Sequence, residues 1–248
     1  MLEAKGRLLL TSERGRSSTM TLLLVGITLL VRVPGWRMSV INGDESIFAL
    51  AGREVLWGHL PCITLFDVKP VGSSLMIAAA MAVMGKTVLA VRILGAACVA
   101  VSAILIERLT RMITNAHSGA SLAAALIYIG YTTCLDGLAS MLELLLAPFT
   151  CGAVALLVSS VDTRETRSQV YLAAGAGTLF GVAVWIKIVP VLSGGALFGS
   201  LLAYWLCTSR ISWSMALLCA SFFAILCIVP MVGDVPKLVE IGGRRCPP

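Results

Sequence analysis

The stretch that decides the fold is 87–106, TVLAVRILGAACVAVSAILI, which holds a single charge, Arg92, near its start. A bilayer's hydrocarbon core is about 30 Å thick and takes about 20 helical residues to cross, with every backbone polar group satisfied within the segment. The stretch meets both demands and reads as a transmembrane helix. Working outward, the same reading applies to 17–36, 116–135, 144–161, 170–189, 191–207 and 212–232, each with at most one charged residue. The run 70–85 is free of charge but only 16 residues long. It suits a re-entrant or interfacial helix as well as a short span.

Composition agrees with this reading. Of 248 residues 58% are hydrophobic and 13% charged, and the mean hydropathy is +0.94. A soluble domain carries about 25% charged residues, and a disordered chain is poorer still in apolar ones, so both classes are excluded. The fold class is all-α, a polytopic helical membrane protein of about seven spans with an external amphipathic or re-entrant segment.

The net charge of +6 comes from basic residues scattered in ones and twos between apolar runs. That is the pattern of orientation signals and not of a nucleic-acid surface, so no nucleic-acid partner is expected. The eight cysteines form no CxxC pair and no cluster with zinc spacing, and those inside apolar runs behave as small hydrophobes. The basic tail 1–16 precedes an apolar run, but Arg32-Val33-Pro34-Gly35-Trp36-Arg37 follows it in place of a small-residue cleavage site. The first span is therefore retained, with Arg32 expected to snorkel near its outer end.

Loop charges set the orientation. If 70–85 does not cross, Arg108, Arg111, Arg164, Arg167 and Arg210 share the side of the N-terminus, whereas the opposite linkers hold only Lys187 at a helix end. The excess places the N-terminus in the cytoplasm, although Lys237, Arg244 and Arg245 count the other way. The expected organisation is a cytoplasmic tail (1–16), a transmembrane unit (17–232) whose external loop 37–86 carries the chemistry, and an atypical tail (233–248). The ending Ile241-Gly242-Gly243-Arg244-Arg245-Cys246-Pro247-Pro248 has neither a span nor a folded pattern, as expected of a truncated or frame-shifted gene.

The external loop opens with Asn42-Gly43-Asp44-Glu45. From Glu45 to Trp57 it reads as an amphipathic helix that Gly58 ends and Pro61 keeps from resuming, suited to the headgroup layer. Gly58-His59-Leu60-Pro61 and Phe66-Asp67-Val68-Lys69-Pro70 follow, and then Val91-Arg92-Ile93-Leu94-Gly95. His59 and His117 have no partner spacing and take no role.

This ordered set resembles the amino-terminal half of the C-type glycosyltransferases of the protein O-mannosyltransferase and lipid A aminoarabinose transferase superfamily, over about 19–189. The resemblance implies a multi-span enzyme that takes a sugar from a polyprenyl phosphate at an external active site. It implies Asp44, with Glu45 beside it, as the essential acid of the first external loop. It matches Lys69 to the family's Lys-Pro lysine, Arg92 to the arginine that follows, and Lys187 to the lysine late in a Gly-rich span. Glu143 or Asp136 would be the acid of the second external loop.

The chemistry accounts for these residue types. Sugar transfer separates a phosphate leaving group from an oxocarbenium-like sugar while an acceptor hydroxyl loses its proton. A carboxylate in reach of that proton contributes about 10²–10⁴-fold, and cations stabilise the charge on the leaving phosphate. The expected roles are base for Asp44, phosphate partners for Lys69, Arg92 and Lys187, and a second acid or metal ligand for Glu143 or Asp136; a divalent metal is the one cofactor considered. The expected partners are a polyprenyl-phosphate-linked sugar, a lipid, glycan or protein acceptor, and membrane lipids. The absence of an organellar targeting segment favours a bacterial inner membrane, with the endoplasmic reticulum as the alternative. Three other readings stand beside the enzyme: an inactive fragment, a non-catalytic subunit, and a small transporter, which would show internal repeats with paired broken helices. The small residues 173–177 are expected to permit close helix packing.

Overall fold

The computed structural model describes residues 2–37, 42–59, 70–114, 118–134, 141–162, 166–208, 220–221 and 223–225. They form eight helices: α1 (Leu2–Trp36), α2 (Gly43–Leu56), α3 (Val71–Met84), α4 (Val88–Ile113), α5 (Ser118–Cys134), α6 (Leu142–Asp162), α7 (Thr166–Ile186) and α8 (Pro190–Cys207). The protein is an all-α membrane protein. Five segments are long and apolar enough to cross: Ser18–Trp36, Val88–Ile113, Leu142–Val161, Arg167–Ile186 and Pro190–Cys207. The expected span 116–135 is the shorter apolar helix α5, whose 17 residues reach about 26 Å. The expected span 212–232 lies for the most part outside the described residues, as does the tail 233–248.

The ambiguous run 70–85 becomes α3. Its 14 residues make about 21 Å of helix, short of a bilayer core. Pro70, lacking an N–H, sits at its N-cap, and Gly85 ends it at φ +96°, where a side chain would be strained. Thr87 then starts α4 by accepting the Ala90 N–H at 3.4 Å.

Contacts between named residues give the helix directions. The Gly35 carbonyl of α1 meets Arg92 of α4, while Leu24 packs with Val99 and Ala103, so α1 and α4 run antiparallel. Glu107 of α4 meets Ser121 of α5, and Gly175 of α7 approaches Leu156 of α6, so each of these pairs is antiparallel too. With α2 and α3 inserted between α1 and α4, one end of the bundle collects the C-termini of α1 and α7 and the N-termini of α2, α3, α4 and α6. Helix α4 is the centre, with 56% of its apolar stretch buried against 22% for that of α1.

Packing relies on small residues, because lipid supplies no hydrophobic drive between helices. Ala173 and Ala176 are buried between α6, α7 and α8, as the run 173–177 predicts. Gly72 of α3 lies against α7 so closely that a Cβ would stand 2.5 Å from the Trp185 carbonyl oxygen. Large apolar side chains such as Leu22, Leu30, Ile127 and Leu192 point outward, where lipid would meet them.

Arg32 departs from expectation. It is 3% exposed, in an interior whose neighbouring titratable groups are Cys98 of α4 and Tyr128 of α5. The reason is register. Leu24, Thr28, Arg32 and Gly35 recur at helical spacing and all are buried, so Arg32 belongs to the inward stripe of α1 and has no path to the headgroups along the lipid face.

Candidate functional site

The site begins with Asn42. In an extended conformation (φ −139°, ψ 146°) it caps α2, its side-chain oxygen accepting the Asp44 N–H at 3.1 Å. The helix therefore runs from Gly43 to Leu56, two residues earlier than the expected start, with Asp44 and Glu45 in its first turn and Arg53 in its last. Both charge placements complement the helix dipole. Trp57 forms the C-cap, and Gly58 follows at φ +83°.

In a capping box the acid at the position of Glu45 reaches back to the cap. Here Glu45 instead faces the core and is 0% exposed. Its two oxygens take a two-bonded fork from Arg92: Nε to Oε1 at 2.8 Å and Nη2 to Oε2 at 2.7 Å. Nη1 of the same guanidinium donates to the Gly35 carbonyl at 2.5 Å. That carbonyl lies in the last turn of α1, where the helix has no internal donor left. One arginine thus ties the end of α1, the start of α2 and the start of α4. Arg92, expected at a phosphate, is 2% exposed and bound to a carboxylate. Asp44, one residue earlier and about 100° round the helix, is only half-buried.

A second acid–base pair closes the same end. Glu143, in the first turn of α6, accepts from Nζ of Lys187, just beyond the end of α7. The side chains are 59% and 34% exposed, so water competes for both and the pair contributes little stability. The two pairs flank one apolar cluster, which includes Phe48, Val91, Leu142 and Ile186. Each of Arg92, Glu143 and Lys187 directly follows one of its members, and Glu45 lies three residues before Phe48.

Lys69 and Asp136 lie outside the described residues. Among the described residues no three of His, Cys, Asp and Glu come together as metal ligands, and Asp136, one of the two acids expected at a metal, is not among them. Three contacts had no sequence signal. The Gly35 carbonyl is backbone, and the closeness of Gly72 to Trp185 is set by tertiary packing. His59, to which spacing gave no partner, holds Glu54 with Nδ1 at 2.6 Å from Oε2.

A family model described as dolichyl-phosphate-mannose-protein mannosyltransferase matches residues 68–233, about two thirds of the chain. The match includes Lys69, Arg92, Asp136, Glu143 and Lys187, and it begins after Asp44 and Glu45. No curated protein and no solved structure matches the chain significantly.

Proposed function

The chain belongs to the dolichyl-phosphate-mannose-protein mannosyltransferase family, a group of membrane glycosyltransferases of the C type, and from that premise we propose that it transfers a sugar from a polyprenyl phosphate to a hydroxyl acceptor on the external face of the membrane. The reading assigns that face to the end of the bundle that gathers Asp44, Glu45, Arg92, Glu143 and Lys187. It places the N-terminus in the cytoplasm and the protein in a bacterial inner membrane.

Asp44 is the base. Its carboxylate takes the proton of the acceptor hydroxyl as that oxygen bonds to the anomeric carbon. The bond from that carbon to the phosphate oxygen breaks, and its electron pair leaves with the polyprenyl phosphate. Lys187 and Lys69 stabilise the departing phosphate, and Glu143 holds Lys187 in position until the donor arrives. Arg92 acts through Glu45: by fixing the first turn of α2 it fixes Asp44, and it is a positioning residue. Asp136, seven residues before Glu143 in the chain, is the alternative second acid.

The observation that carries this reading is the placement of Asp44, half-buried beside a fully buried, arginine-locked neighbour on a capped helix terminus. The test uses membranes carrying the full chain, a polyprenyl-phosphate-linked mannose and a hydroxyl-bearing peptide. Asp44→Asn should lower transfer about 10²–10⁴-fold with the melting temperature unchanged. Transfer at the unsubstituted rate would overturn the assignment, and donor binding without transfer by the unsubstituted chain would favour a non-catalytic subunit.

A further inference from the structure

A different surface, on the flank of the same end, points to a lipid partner. The exposed ring of Trp57 carries two cations: the Arg53 guanidinium 5.0 Å and the Lys86 ammonium 5.7 Å from its centroid. Both cations are exposed, and among the described residues neither is ion-paired. The neighbouring acid, Glu54, is occupied by His59 at 2.6 Å. Among the described residues two like charges are thus drawn to one ring with no anion between them, and an anionic group would compensate them.

Depth follows from the chain itself. Lys86 stands two residues before the candidate span Val88–Ile113, at the boundary between headgroups and hydrocarbon, and Trp57 lies against it. Around them Val83 (85% exposed), Met84 and Leu89 on the α3–α4 corner, with Leu50 on α2, expose apolar side chains. An aromatic ring at the headgroup level, apolar neighbours below it and uncompensated cations around it make a complementary seat for an anionic lipid.

We infer that Arg53, Trp57 and Lys86 form a binding site for the headgroup of an anionic phospholipid of the surrounding leaflet, in preference to a zwitterionic one. The inference goes beyond the transfer reaction and does not depend on it. Each cation at such a surface contributes about five-fold to anionic preference at low salt, and the preference declines as ionic strength rises.

The full chain in nanodiscs tests this by quenching of tryptophan fluorescence with lipids brominated near the headgroup, the Trp57 signal being the difference between the unsubstituted protein and Trp57→Phe. Brominated phosphatidylglycerol should quench that signal more than the same fraction of brominated phosphatidylcholine. Arg53→Gln with Lys86→Gln should remove the difference while helical circular dichroism is retained. Equal quenching by the two lipids in the unsubstituted protein would overturn the inference even if the double variant fails to fold. So would quenching by neither lipid, or a preference that survives the double substitution.

Discussion

Glu45 and Arg92, 47 residues apart in the chain, meet in a two-bonded fork from which water is excluded, 2.8 and 2.7 Å long. The fork joins a helix that reads as external to one that crosses the membrane, so the geometry of the loop is set by the bundle beneath it. An acid in the first turn of a helix would otherwise be solvated and mobile. Here its neighbour Asp44 inherits a fixed position.

Breaking this fork by one partner should be costly. Arg92→Met or Glu45→Leu alone leaves a buried charge uncompensated, and each is expected to destabilise by about 3–5 kcal/mol. The double replacement removes both charges and should recover most of that loss, because a buried ion pair and a matched apolar pair differ little in net stability. Arg92→Lys cannot reproduce the fork and should fall between. Thermal melting in detergent micelles across this cycle measures the coupling. Transfer should stay low in the double variant even where the fold returns, since Asp44 has lost its anchor.

The cap makes a gentler perturbation of the same position. Asn42→Ala removes the acceptor for the Asp44 N–H and should cost about 1 kcal/mol, whereas Asn42→Ser keeps an oxygen there and should be close to neutral. If Asp44 works from a fixed position, kcat should decline in the alanine variant and recover in the serine one. Steady-state kinetics separates kcat from KM and decides this.

The sequence makes the spans legible because crossing a bilayer depends on length and charge alone, which any window of residues displays. The bounds of α2 are legible to within two residues, since Asn42, Asp44 and Gly58 are local signals for local geometry. Partnership is another matter. Arg32 and Arg92 are each one basic residue near an end of an apolar run, and nothing in those runs says which face of the helix each occupies. Both turn inward, one to share an interior with Cys98 and Tyr128, the other to hold Glu45. Glu143 and Lys187 each stand out as a candidate residue, but 44 residues of separation conceal that they meet.

Close packing gives a prediction about shape alone. At Gly72 an added Cβ would stand 2.5 Å from the Trp185 carbonyl oxygen and 2.8 Å from its ring, and backbone cannot move aside cheaply. Gly72→Ala should therefore destabilise by about 1–3 kcal/mol. Gly26, in α1, has nothing within 4 Å of that position, so Gly26→Ala should be neutral or stabilising through helix propensity. Melting of the two variants side by side checks the α3–α7 contact. Equal melting temperatures would mean that α3 does not press on α7 as described.

The exposed pair should behave in the opposite way to the pair in the core. Glu143 and Lys187 are both substantially exposed, and such pairs contribute less than about 1 kcal/mol. Lys187→Gln should thus shift the melting temperature by no more than about 2–4 °C. If Lys187 meets the donor phosphate, the same substitution should raise the KM for the polyprenyl phosphate sugar and lower kcat, with the loss in unsubstituted protein growing as salt screens the contact. Glu143→Gln leaves the cation in place without its partner, so it should weaken donor binding less than Lys187→Gln does. A melting loss for Lys187→Gln as large as that for Arg92→Met would make the pair a structural clamp and would remove Lys187 from the reaction.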